Sequence, residues 1–417
     1  MMPPGPTLPS VVQLGMYAAD PLGTLERWSR RFGDTFTARF AGVGTMVFTS
    51  SPEHIKAIVT ADPDVLETGP ENAGLRPVVG ARSLLVLDGR EHQRHRRLIV
   101  PMFHAERMRK HAELMRAAAI EETDRWPVGR GFTLQSRLDG LTLRVIVRAL
   151  FSDDALGEPF ANVIEAFSSP LMPLLAYAGV DVVRQLRWHP ASRRVAELDR
   201  AIYAEIARRR CGQPGDDGLG LLLGMRDADG NSLDDRELRD ELVSLVVAGQ
   251  DTVAGAAAWA IELLLDHPST LERAARDDQY LAAAIRESLR LRPVLALVAR
   301  RARAPFAFGG YSFEPGTWFA PSIHLTHRRR DLYPEPERFR PERFLGTKPD
   351  PYHWLPFGAG GRRCIGMGFA LAELQVIVST ILARVQLTSL RREPAAVARR
   401  NITLVPAGDV PVRCAVR

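Results

Sequence analysis

The sequence predicts a mainly α-helical protein with a smaller β-rich region near its N-terminus, and three observations carry that prediction. Apolar residues recur at helical spacing over long stretches, above all from Leu242 to Leu265 and from Met367 to Val385. Two β-rich runs, Thr35 to Phe40 and Thr45 to Ser50, are joined by Ala-Gly-Val-Gly and read as a hairpin. A glycine-rich loop, Phe357-Gly-Ala-Gly-Gly-Arg-Arg-Cys364-Ile-Gly366, delivers a cysteine to the start of the last long helix.

Composition bounds the possibilities. At 417 residues and 46% hydrophobic content the chain can bury a large core, and its length alone would allow two or three domains. It has no internal repeat, low-complexity tract or long linker, and its chemistry-bearing motifs run from His92 to Cys364, so a single domain over residues 1–417 is expected. Cys211, Cys364 and Cys414 share no Cys-x-x-Cys spacing and are odd in number. They support neither a disulfide scaffold nor a zinc ribbon, and they suit a reducing cytoplasm. The start, Met-Met-Pro-Pro-Gly-Pro-Thr-Leu-Pro, holds no apolar stretch, so neither signal peptide nor membrane anchor is expected. Lysine occurs only at Lys56, Lys110 and Lys348 against 52 arginines, which with abundant Ala and Gly points to a GC-rich bacterial genome. The net charge of +6 is dispersed among acids, with no basic tail or aromatic-interleaved patch, which favours an acidic protein partner over nucleic acid.

Taken in order, Ser51 is an N-cap with Pro52 at the first helical position and Glu53 in the first turn. Leu66 to Leu87 is irregular. Asp88 opens a helix on which His92 and Arg96, four apart, share a face and can grip a carboxylate together. Glu106 to Trp126 and Leu134 to Phe151 are structural helices. Phe160 to Val183, with Pro170 and Pro173, reads as a helix, a mobile apolar loop and a further helix, whose greasy character fits a hydrophobic ligand. Ser232-Leu-Asp-Asp235 resembles a capping box, and the helix after it runs to His267, about 33 residues or roughly 50 Å. Gln250 and Asp251 interrupt its apolar centre, so it is a buried central helix and not a membrane span. Within it, Ala248-Gly249-Gln250-Asp251-Thr252 is small enough for close approach of a flat group, and the threonine hydroxyl can bond the carbonyl four residues earlier.

Glu287 and Arg290 stand at i and i+3, and Pro-Glu-Arg-Phe occurs twice, at Pro336–Phe339 and Pro341–Phe344. Pro293 to Val298 is apolar and extended, Arg300-Arg301 follows, and Ala307 to Phe313 reads as a hairpin with a Gly-Gly turn. In the cysteine loop, a sulfur placed just before Met367 meets the unpaired N–H groups and partial positive charge of a helix start, which favour an anionic metal ligand. The glycines let the backbone turn sharply and let a flat cofactor lie close, Phe357 can shield the sulfur and Arg362 can reach an anion.

Phe-x-x-Gly-x-Arg-x-Cys-x-Gly, matched by residues 357–366, resembles the haem-binding loop of the cytochromes P-450, and the further motifs extend that resemblance from about residue 35 to the C-terminus. The resemblance implies the P-450 fold, a triangular, mainly helical domain with a smaller β-rich region. It implies haem b held by the Cys364 thiolate as metal ligand. Phe357, Arg362, Ala248 and Gly249 would line the cofactor. His92 and Arg96 would hold one haem carboxylate and Arg300, with Arg301 as the alternative, the other. Asp251 and Thr252 would deliver protons. Glu287, Arg290 and Arg343, with Arg338 as the alternative to Arg343, would form a buried network supporting the cysteine loop. The implied activity is monooxygenation of a hydrophobic small molecule (a fatty acid, terpenoid or other secondary metabolite) with O₂ and electrons from a ferredoxin or flavodoxin and its NAD(P)H reductase. Arg107, Arg109 and Lys110 are candidate docking charges, and a cytoplasmic monomer is expected. A peroxygenase or isomerase would alter the Asp251-Thr252 pair, and a haem-based sensor would need neither this central motif nor a lid.

Overall fold

The predicted hairpin forms between β1 (Thr35–Phe40) and β2 (Gly44–Thr49), antiparallel from Thr35 opposite Thr49 to Phe40 opposite Gly44. It is part of a five-stranded sheet completed by β3 (Leu66–Glu67), β4 (Arg300–Ala302) and β5 (Trp318–Pro321), in the order β1-β2-β5-β4-β3. Trp28, Phe36, Phe40 and Phe48 pack into one aromatic core on this sheet, and Phe308, Phe313 and Phe319 into a second. The helix Pro52–Val59 begins as expected, with Ser51 accepting from the His54 N–H. The Gly-Gly hairpin pairs Phe306–Phe308 with Tyr311–Phe313, and Gly309 and Gly310 both take the positive φ that its tight turn demands.

This computed structural model describes residues 1–167, 190–400 and 402–416. The chain divides into two compact units, each assembled from separate stretches: Met1–Glu71 with Arg286–Cys364, and Asn72–Ile285 with Ile365–Arg417. The sheet and both aromatic cores belong to the first.

The second unit is helical. Its principal helices are α1 (Gly89–Ile99), α2 (Ala105–Thr123), α3 (Leu134–Phe151), α4 (Asp235–Leu265) and α5 (Met367–Arg384). The central α4 packs on α3 and α5 and on the strand Thr403–Pro406, where the Trp259 indole donates to the Leu404 carbonyl at 3.1 Å. Two sequence expectations about α4 are corrected. Its capping box uses Asp234 and Glu237, not Ser232 and Asp235: the Glu237 N–H donates to the Asp234 carboxylate at 2.7 Å and the Asp234 N–H to Glu237 at 2.9 Å. The helix also ends at Leu265 after 31 residues instead of reaching His267, because His267 precedes Pro268, which disfavours helical backbone before it. Both α4 and α5 are long and apolar enough to cross a membrane, yet the apolar stretch of α4 is 67% buried within the protein. The first helix expected from Phe160 forms as Gly157–Phe167, and the apolar loop and further helix expected through Val183 lie outside the described residues.

Candidate functional site

The cysteine loop is shaped by its glycines. Gly358 and Gly360 both have positive φ, and a Cβ on Gly360 would lie 2.0 Å from the Val59 carbonyl oxygen, so only glycine fits there. The Cys364 N–H donates to the Phe357 carbonyl at 2.9 Å, closing the loop on itself. Cys364 is exposed, two residues ahead of Gly366, the cap of α5, and the Phe357 ring packs edge-on against Trp354 at 5.8 Å. Arg362 is half-buried beside it.

Strand alternation separates the two arginines that the sequence leaves open. Arg300 is 6% exposed and turns inward, whereas Arg301 turns out, pairing with Glu67 and stacking over Trp318. Arg300 meets a carboxylate that sequence reasoning missed. Glu71 accepts from the Ala299 N–H at 2.8 Å and stands 4.0 Å from the Arg300 guanidinium. Burial pushes Glu71 up to about 7, against the pull of Arg300 and Arg362.

Glu287, Arg290 and Arg343 come together. Arg290 grips Glu287 through two hydrogen bonds of 2.6 and 2.8 Å, both side chains fully buried, and Arg343 reaches the same carboxylate at 3.3 Å. Arg338 is not a member: its side chain is exposed and pairs with Glu335, leaving only its carbonyl to accept from Arg290. His327, which the sequence did not single out, links this network to the cysteine loop. It is fully buried, burial beside Arg290 keeps it neutral, its Nδ1–H donates to the Arg290 carbonyl at 3.0 Å, and its Nε2 accepts from the Leu355 N–H at 2.8 Å. Two residues on stands Phe357.

In the helical unit, α4 is buried along most of its length, and near its middle one stripe keeps access to solvent. Leu245, Ala248, Gly249 and Thr252 fall at i, i+3, i+4 and i+7 and all retain solvent access. The Thr252 hydroxyl donates to the Ala248 carbonyl at 2.6 Å, as its spacing predicts. A Cβ on Gly249 would approach Ile146 of α3 at 3.4 Å, within ordinary contact. Asp251 points away from the stripe, since adjacent helical residues diverge by about 100°. Its carboxylate pairs with Arg400 and accepts from the Thr403 hydroxyl at 2.8 Å, while Arg400 also holds Asp139 at 2.8 Å. Burial raises the Asp251 carboxyl above its usual range, with Arg400 and Thr403 opposing and Asp139 reinforcing. Arg400, Thr403 and Asp139 lie more than 100 residues from Asp251, so no local spacing could reveal them.

His92 is buried and Arg96 half-buried on α1. On α2, Arg107 and Lys110 are not solitary charges: the exposed Asp216 takes both, at 3.3 and 2.8 Å. Arg109 is exposed.

The sequence matches the family model for Cytochrome P450 over residues 2–408. The chain belongs to the cytochrome P450 family. It is 34% identical to a protein named cytochrome P450 135B1 of Mycobacterium tuberculosis, over 99% of this chain and 91% of that one. It is also 34% identical to one named cytochrome P450 137 of the same organism, over 93% and 84%. Among solved structures, it superposes on a retinoic acid bound cyanobacterial CYP120A1 (TM-score 0.85, 23% identity, 100% of both chains). A cytochrome P450DA heme domain gives 0.88 at 21% identity over 100% and 98%. This P450 is therefore a haem-thiolate monooxygenase that uses O₂ and takes electrons from redox partners. The first unit fits a haem, with an exposed Cys364 just ahead of a helix start and an inward-turned Arg300; taken by itself, α4 of the helical unit carries a partly open stripe of small residues.

Proposed function

We propose that this P450 oxidises a hydrophobic small molecule, of the size and character of a fatty acid or terpenoid, and that Cys364 is its haem ligand. The observation that carries this reading is the exposed Cys364 sulfur held two residues before the cap of α5 by a loop that only glycine can form. His92 and Arg96 would hold one haem carboxylate and Arg300 the other, and Arg362 and Phe357 would line the cofactor. The haem, once bound, supplies the oxidising chemistry. Everything else falls to the chain's own side chains. Ala248 and Gly249 carry little or no side chain, so the α4 stripe would admit the close approach of a flat group. Leu245 on that stripe is a partly exposed apolar residue, and so, in the first unit taken by itself, are Leu295, Leu297 and Val298; each favours a hydrophobic substrate and disfavours stray water.

The Thr252 hydroxyl, already orientated by its bond to Ala248, holds a proton-donating water, and Asp251 on the adjoining face passes protons inward from solvent. Arg107, Arg109 and Lys110 receive an acidic ferredoxin or flavodoxin served by an NAD(P)H reductase. The working unit is one haem domain over residues 1–417, monomeric and cytoplasmic. The test is the spectrum of the reduced protein under CO. A strongly red-shifted Soret band is expected, lost in Cys364→Ala; an unshifted, histidine-type band in the wild type would overturn the assignment.

A further inference from the structure

Three residues past His92 on α1, His95 is 2% exposed, on the same buried face. Its Nδ1 lies 2.6 Å from the Glu241 carboxylate on α4, and its Nε2 lies 3.3 Å from Glu237 one turn earlier. Glu241 is 1% exposed, and its same oxygen also accepts from the Leu84 N–H at 2.9 Å. Around this pair the segment leading into α1 is stitched to α4 by further contacts. Arg94 bonds Asp227 at 2.7 Å, Glu237 at 2.9 Å and the Ser232 carbonyl; the Arg82 N–H donates to Asp240; and the Ser83 and Ser244 hydroxyls meet at 2.5 Å. Two buried groups of opposite charge, each otherwise costly inside a protein, have been placed where one makes the other tolerable.

We propose that His95 is a positioning residue for the anion-binding pair His92 and Arg96, forming with Glu241 and Glu237 a buried imidazole–carboxylate latch that holds α1 in place on the central helix. The proposal rests on the reading of His92 and Arg96 as haem-carboxylate ligands. The groups facing His95 explain its behaviour. Glu241 and Glu237 approach it from α4; around them Asp227 and Glu237 hold Arg94, Asp234 and Glu237 hold Arg82, and Asp240 holds Arg239. Burial by itself would lower the imidazole, but the bonds and charges of Glu241 and Glu237 outweigh it, so His95 keeps its proton above the ordinary histidine range. Burial raises Glu241 in turn, with His95 and the Leu84 N–H opposing. Both groups therefore bind protons more tightly folded than unfolded. The stability that His95 contributes is present in full below the unfolded imidazole value of about 6.5 and is lost as pH rises through the folded one.

The test is haem transfer from the holoenzyme to excess apomyoglobin as pH rises, with amide hydrogen exchange over Gly89–Ile99 followed in parallel. Wild type is expected to lose haem roughly tenfold faster on the alkaline side, for each unit by which folding raises His95, and exchange at Gly89–Ile99 should rise with the same midpoint. His95→Gln keeps a donor to Glu241 but cannot titrate, so its transfer rate should be flat with pH. If that variant fails to fold, Glu241→Gln serves instead, and its alkaline step should move to lower pH. An alkaline rise of equal size and midpoint in the variant, or none in wild type, overturns the latch. His92→Ala separates the two ideas: it should speed haem loss at every pH while leaving the exchange step intact. Normal haem retention in His92→Ala would count against the carboxylate reading, and exchange at Gly89–Ile99 would still report on His95.

Discussion

Glu71 shows how much a single residue's surroundings decide. A carboxylate between two arginines would ordinarily be held low, yet burial outweighs both and brings it to about 7. Its folded state thus holds a proton that the unfolded chain releases near 4.5, so the stability it contributes is present at acid pH and is lost as pH rises through about 7. Glu71→Gln keeps an acceptor for the Ala299 N–H and stays neutral. Its melting temperature should overtake that of wild type progressively from pH about 5 to about 8; parallel curves would show Glu71 to be solvated. Asp251 and Thr252 make a second residue-scale case, since one faces Arg400 and the other the open stripe. Thr252→Ala should still bind substrate and consume reductant but divert much of it to hydrogen peroxide. Asp251→Asn, which leaves Arg400 paired with Asp139, should slow turnover with less diversion. Product formed and peroxide released per NAD(P)H oxidised decide the matter: full coupling at the wild-type rate in both variants would remove the pair from proton delivery.

At the scale of elements, the segment Arg286–Leu291 and the cysteine loop are joined by a continuous chain of bonds. Arg290 is held by Glu287 and stacks over Tyr333, whose hydroxyl donates to the His353 carbonyl at 3.1 Å. Through His327 the same arginine fixes Leu355, and the Trp354 indole donates to the Arg286 carbonyl at 3.2 Å. Removing one partner leaves a charge with no water to receive it. Arg290→Ala should cost on the order of 3–5 kcal/mol in denaturant unfolding and give little haem-loaded protein. Arg338→Ala, on an exposed side chain, should change stability by less than about 1 kcal/mol. Equal stability in the two variants would show that the buried network does not hold the loop.

At the scale of the whole molecule, the dispersed basic charge matters through its partners. Asp216 already occupies Arg107 and Lys110, and this contact is exposed, so it is weak and screened by salt. Asp216→Asn should speed electron transfer from an acidic ferredoxin at low ionic strength, with the gain vanishing towards 1 M salt, where the Debye length falls to about 3 Å. Stopped-flow reduction across a salt series measures it, and no change at low salt would place the docking charges elsewhere. How much of this molecule can be read from its chain follows the range of the interactions concerned. The hairpins, the cap at Ser51, the ends of α3, the cysteine loop and the Thr252–Ala248 bond all depend on neighbours within a few residues, and the sequence by itself determined them. The reach of Arg343 and not Arg338 to Glu287, the inward turn of Arg300 against the outward turn of Arg301, the pairing of Asp251 with Arg400, the Glu71 carboxyl and the His95–Glu241 contact were decided only by tertiary structure. Each depends on which side chains burial brings together across scores of residues, and on the loss of water that turns a charge's neighbours into its only solvent.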